Sequence, residues 1–146
     1  MNETTAKSLD QIVDECGRYP LAAFEFVRAG LNYTVENIHG SAAREPGPHC
    51  HVTGQQLSQG LRRYAIMRYG IIAKAVLNHW RIYRTSDFGK IVFAMIDGRL
   101  MQKTDRDDVR DFEEVFDFNT AFDPPTHSRA PDNAPNTPRT SPPFTL

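Results

Sequence analysis

The segment from His51 to Phe118 constrains the fold most, because two patterns run through it together. Apolar residues recur at helical spacing in three short runs, and charge is sharply segregated along the same stretch. Nine Lys/Arg face two Asp/Glu between His51 and Thr104, and eight acids face two Arg between Asp105 and Asp123. That order predicts three short helices followed by a small pair of strands, the outline of a helix-turn-helix with a trailing hairpin. The net charge of −1 conceals this distribution: residues 1–50 sum to −3, 51–104 to +7, 105–123 to −6 and the remainder to +1. A generally basic surface, of the kind that coats nucleic acid unselectively, is thereby excluded; a local basic face is not.

The individual helices carry their own start and stop signals. Ser8 and Gln11 have capping-box spacing, and Leu9, Ile12, Val13 and Cys16 follow at helical intervals before Gly17. Pro20 suits the first turn of a second helix. Leu21, Phe24, Val27, Leu31, Val35 and Ile38 form its main stripe, Phe26, Ala29, Gly30 and Tyr33 form a smaller face, and Gly40 closes it. A helix apolar on more than one side belongs at the centre of its fold. Residues 41–50 read as a loop. Thr53 and Gln56 repeat the capping box for a third helix ending at Gly70, with Leu57, Leu61, Tyr64 and Ala65 inward and Arg62, Arg63 and Arg68 solvated. Residues 71–80 read as a short buried element carrying Trp80, and Arg81 to Arg84 as extended. Thr85 opens a fifth helix with Phe88, Ile91, Val92 and Met95 on one face and Gly98 at its end. Arg99 to Thr104 and Val109 to Phe118 then form the expected strand pair around an Asp-Arg-Asp-Asp turn.

A chain of 146 residues is long enough for one domain with a core of its own. Residues 1–123 are expected to form a single, mainly helical domain. The core should contain Leu21, Phe24, Val27, Leu31, Leu57, Leu61, Ile72, Val76, Trp80, Phe88, Ile91, Val92 and Met95. Seven prolines fall in the last 23 residues among Ser, Thr and Asn, so 124–146 is expected to be a disordered tail. No segment approaches the roughly 18 consecutive apolar residues of a membrane span. Two cysteines, Cys16 and Cys50, in a chain with no recognisable export signal are expected to be free thiols in a reducing cytoplasm.

The run YPLAAFEFVRAGLNYTV (Tyr19–Val35), the phrase HVTGQQL (His51–Leu57) and the segment RTSDFGKIVFAMI with a following Lys103-Thr104, acidic residues and Asp111-Phe112 resemble a small family of uncharacterised bacterial proteins found chiefly in Planctomycetes and Verrucomicrobia. The resemblance covers residues 9–123 in order and implies no activity and no catalytic residue. In that family a Gly-Leu pair closes the fifth helix, whereas here the order is Gly98-Arg99-Leu100, which shifts the cap by one residue.

Motifs for chemistry are scarce. His49, Cys50 and His51 are adjacent, but zinc needs about four ligands, usually as spaced pairs, and adjacent residues cannot converge on one ion without strain. His39 and His79 would have to join through the fold. The expectation is no metal and no cofactor, with His51 hydrogen-bonded beside the Thr53 cap. Cys16 belongs to an apolar face, and Cys50 lacks a base placed by spacing. The acids Asp105, Asp107, Asp108, Asp111, Glu113 and Glu114 lack the glycine and terminal glutamate of a calcium loop.

Binding is therefore the leading expectation, and catalysis is not. In a winged-helix reading residues 86–97 would enter the major groove, with Ser86, Lys90 and Asp97 outward, a poor recognition surface beside an acidic turn that repels phosphate. A protein-interaction module explains the same pattern with less conflict. Its candidate basic face comprises Arg62, Arg63, Arg68, Arg84 and Lys90, and its acidic arm spans Asp105 to Glu114, folded back over Arg62, Arg63 and Arg84 or leaving them to a partner. The partner protein is unspecified, as is the oligomeric state; nucleic acid is the alternative partner and a membrane is not expected.

Overall fold

Six helices and two 3-10 turns make up the structure, a computed structural model that describes residues 7–40, 51–102 and 107–122. In chain order these are α1 (Leu9–Cys16), α2 (Leu21–His39), α3 (Gly54–Tyr69), a 3-10 turn (Gly70–Ile72), α4 (Ala73–His79), α5 (Thr85–Asp97), a second 3-10 turn (Val109–Phe112) and α6 (Phe118–Ala121). Both capping boxes form: Ser8 and Gln11 bond reciprocally at α1, and Thr53 and Gln56 at α3, with backbone-to-side-chain distances of 2.9–3.2 Å. Each satisfies two amides that a helix start otherwise leaves without partners.

No strand occurs among the described residues. The expected hairpin is thereby corrected over the part that is described: Val109 to Phe118 is a 3-10 turn and the start of a helix. The reason is local. Asp108 accepts from Arg110 N at 2.9 Å and Asp111 accepts from Asp108 N at 3.2 Å, so the acids cap a tight turn instead of alternating along a strand. Residues 103–106, with Asp105 and the first half of the expected turn, residues 41–50 and residues 123–146 lie outside the described residues.

The centre is the crossing of α2 and α3, which is built on small residues. A Cβ at Gly30 would meet Leu61 Cδ2 at 2.2 Å, and one at Gly60 would meet Thr34 Oγ1 at 1.9 Å. Thr34 turns its hydroxyl back to Gly30 O at 2.7 Å, which satisfies that donor within α2, whereas the buried Ser58 hydroxyl of α3 has no partner. The buried face of α2 is accordingly Ala23, Phe24, Phe26, Val27, Gly30 and Thr34, rotated from the expected stripe, and Leu21 is exposed. Phe24, Val27, Leu57, Leu61, Phe88, Ile91, Val92 and Met95 are buried as expected. Leu31, Val76 and Trp80 are half-buried.

Helix α5 is the second axis of the core. Seven of its residues are buried: Thr85, Asp87, Phe88, Gly89, Ile91, Val92 and Met95. The acidic arm closes over it. Phe112 lies against Gly54 and Gly89, and Phe88, Phe116, Phe118 and Phe122 form an aromatic cluster with centroid separations of 5.1–6.5 Å. Such edge-on, tilted and stacked pairs add to the stabilisation from the area they bury. Thr85 Oγ1 donates to Phe112 O at 2.6 Å and accepts from Val115 N at 3.1 Å, pinning the arm at its middle.

Helices α4 and α5 end in the same motif. Ile82 N donates to Leu77 O and Arg81 N to Asn78 O; Leu100 N donates to Met95 O and Arg99 N to Ile96 O. This is the Schellman arrangement, whose left-handed residue is ordinarily glycine. Here that residue is arginine both times, Arg81 at φ 70° and Arg99 at φ 68°. At the end of α5 the left-handed position therefore falls on Arg99. Gly98 stays right-handed and serves packing: a Cβ there would lie 2.4 Å from Ile12 Cδ1.

Candidate interaction surface

The candidate basic residues divide by role. Arg62 is half-buried, and its Nε donates to Ala121 O at 2.9 Å, tying α6 to α3. Burial, followed by the neighbouring Arg63 charge, pulls its pKa down from the ordinary arginine value. Arg62 is thus a clamp for the arm. Arg63 is also half-buried. Arg68 is exposed, with its guanidinium 5.9 Å from the ring centroids of both Tyr64 and Tyr69. Arg84 and Lys90 are exposed on α5, at its N-cap and on its outer side. Three of the five candidates share α3, and two sit on a different helix.

The acidic candidates are similarly differentiated. Asp107 Oδ1 faces His51 Nε2 at 2.9 Å, and His39 Nε2 lies 2.8 Å from His51 O. His51 is therefore held just before the α3 cap, as its position suggests, and its partner joins the arm to the start of α3. Asp108 pairs with exposed Arg110 at 2.8 Å and holds the Arg110 guanidinium above its ordinary pKa by that hydrogen bond. Asp111 is taken up in the turn, and Glu113 and Glu114 are exposed. The arm does fold back over the helical body, but its fastenings are Phe112, Thr85, His51 and a carbonyl on Arg62.

The most deeply placed ionisable pair escaped the sequence reading. Tyr19 Oη donates to Asp87 Oδ1 at 2.6 Å, and Asp87 Oδ2 accepts from Tyr83 N at 2.8 Å and Arg84 N at 3.2 Å. Both side chains are almost fully buried. Burial, then the Asp87 hydrogen bond, pushes the Tyr19 phenol well above its usual range. Every oxygen is occupied in fastening the α1–α2 link to the start of α5, a structural use. The available signal was an aspartate in the first turn of α5, which commonly serves the helix start.

A further feature reverses an expectation. The 71–80 element is not uniformly buried: Ala73 and Leu77 are, but Ile71 is 79% and Ile72 55% exposed. Gly70, at φ 58° and ψ −133°, turns the chain sharply out of α3 in a conformation that side chains avoid. The following 3-10 turn leaves both isoleucines on the outside of the corner. Met67 at 57% and Ile66 at 39% join them from the last turn of α3. Arg68 and half-buried Lys74 flank this patch, and no Asp or Glu occurs from Val52 to Ser86. Contiguous exposed apolar residues with a charged rim mark interaction sites.

Among the described residues no group of three or more His, Cys, Asp or Glu converges, and no helix is long and apolar enough to cross a membrane. Cys16 is half-buried against the core, while His49 and Cys50 lie outside the described residues. Comparison with protein families, with curated proteins and with solved structures returned no match for this chain.

Proposed function

We propose that this chain is a non-enzymatic protein-interaction module that presents the α3–α4 corner to a partner. The observation that carries the reading is the exposure of Ile66, Met67, Ile71 and Ile72 in one seven-residue stretch within an acid-free run. Full burial of such side chains is worth roughly 1.5–3 kcal/mol each, and these four are between 39% and 79% exposed, so a partner that covers them gains a fraction of that at each residue. The basic rim adds orientation and attraction for an acidic partner.

Nucleic acid is the alternative partner, supported by that same run. Against it stands α5, the would-be recognition helix, which buries seven of its thirteen residues and carries the acidic arm across its flank. A photo-crosslinking residue at position 71, with a control at exposed position 36, tests the reading in the source cell. Discrete protein adducts from position 71 alone, insensitive to nuclease, are expected. Adducts to nucleic acid, or equal labelling from both positions, would overturn it.

A further inference from the structure

Two surfaces of opposite character adjoin on this molecule. One is the corner, with Met67, Ile71 and Ile72 exposed beside Arg68 and Lys74. The other is the acidic arm, where Val109 is 42% exposed, next to Arg110 that pairs with Asp108, and where Glu113, Glu114 and Asp117 are exposed. They are joined along one edge. Lys74 Nζ donates to Asn119 Oδ1 at 3.3 Å, and Arg62 Nε to Ala121 O, so the last turn of the arm lies along α3 and the beginning of α4.

We infer that the corner's partner is a second copy of this chain, in a two-fold dimer in which each corner meets the other copy's acidic arm. The inference rests on the interaction-module reading and names its partner. A two-fold axis near the boundary of two adjoining complementary patches makes the basic-to-acidic contact twice and leaves no open end. The apolar residues fit the same arrangement, because Val109 offers the partner's corner an uncovered apolar side chain inside the acidic rim. The arm also decides between kinds of partner. A phosphate backbone or an anionic lipid surface attracts the corner but is repelled by the carboxylates beside it. A second copy uses both.

The test is the solution mass of the full chain by sedimentation equilibrium, at about 100 μM protein and about 50 mM salt. Twice the 16.6 kDa monomer mass is expected, falling toward the monomer as salt rises. Ile71→Glu should abolish the dimer while circular dichroism shows the fold intact, and Arg68→Glu should weaken it about tenfold or more. The arm variant Glu113→Lys/Glu114→Lys should weaken it comparably. Mixing the Arg68→Glu chain with the arm variant should restore association, because each reversed patch then meets its complement. A wild type that stays monomeric under these conditions overturns the inference and leaves the interaction-module reading standing if position 71 still crosslinks to another protein. A dimer indifferent to Ile71→Glu, or a mixture no tighter than either variant alone, overturns the inference as well.

Discussion

Gly60→Ala should destabilise the protein, although alanine is the better helix former, and the size of the loss follows from a single contact. Replacing an interior helical glycine by alanine ordinarily gains about 1 kcal/mol. At Gly60 the added methyl would lie 1.9 Å from Thr34 Oγ1 and 2.7 and 2.8 Å from Thr34 Cγ2 and Cβ. Thr34 cannot swing aside freely, since it is buried and its hydroxyl is bonded to Gly30 O at 2.7 Å. Overpacking of this kind costs roughly 1–3 kcal/mol, and losing the threonine hydrogen bond about 1 kcal/mol more. The net is a loss of roughly 1–3 kcal/mol, or several degrees in Tm at about 4 °C per kcal/mol. Urea unfolding followed by circular dichroism measures it, and a double-mutant cycle isolates the cause. Thr34→Ala alone should cost stability, yet adding Gly60→Ala to it should cost less than Gly60→Ala does in the wild type, because only the Thr34 Cβ contact at 2.8 Å remains. A neutral Gly60→Ala in the wild-type background, or strict additivity in the cycle, would refute the claim that α2 and α3 meet at these two residues.

Two further perturbations probe the rest of the body. Because Tyr19 is held protonated in the fold, its contribution is fully present below the ordinary tyrosine pKa and is lost as pH rises from about 10 upward. Tyr19→Phe should cost roughly 1.5–3 kcal/mol at neutral pH, since the lost hydrogen bond serves a charged group, and should flatten the alkaline decline in unfolding free energy; identical slopes would contradict the pairing with Asp87. Arg99→Gly should stabilise by about 0.5–1 kcal/mol by relieving the left-handed strain, whereas Gly98→Ala should destabilise by forcing Ile12 to move; melting temperatures shifting in the opposite senses would show that the cap lies elsewhere.

How much was legible in the sequence differs sharply between local and long-range features. Helix limits came from short-range chemistry: the Ser8 and Thr53 caps, the Gly17, Gly40 and Gly70 ends and the Thr85 start all depend on groups within four residues, so spacing alone reveals them. The inward face of α5 followed from periodicity, because a helix buried along one side must repeat its apolar residues at helical spacing. What belonged to the tertiary structure was every choice between equivalent local options. The arm from Val109 to Phe122 reads as acidic and extended in isolation, yet Phe112, Phe116, Phe118 and Phe122 pack toward α5, a pairing across long sequence separations that no window contains. Arg62 and Arg68 are alike in sequence, but only the carbonyl of Ala121 makes the first a structural clamp and leaves the second at the surface. Asp87 became a buried anchor through Tyr19, 68 residues away. Ile71 and Ile72 carry the same apolar signal as core residues. Their exposure follows from the turn at Gly70, since periodicity reports that a side chain is apolar and only the path of the backbone decides whether anything covers it.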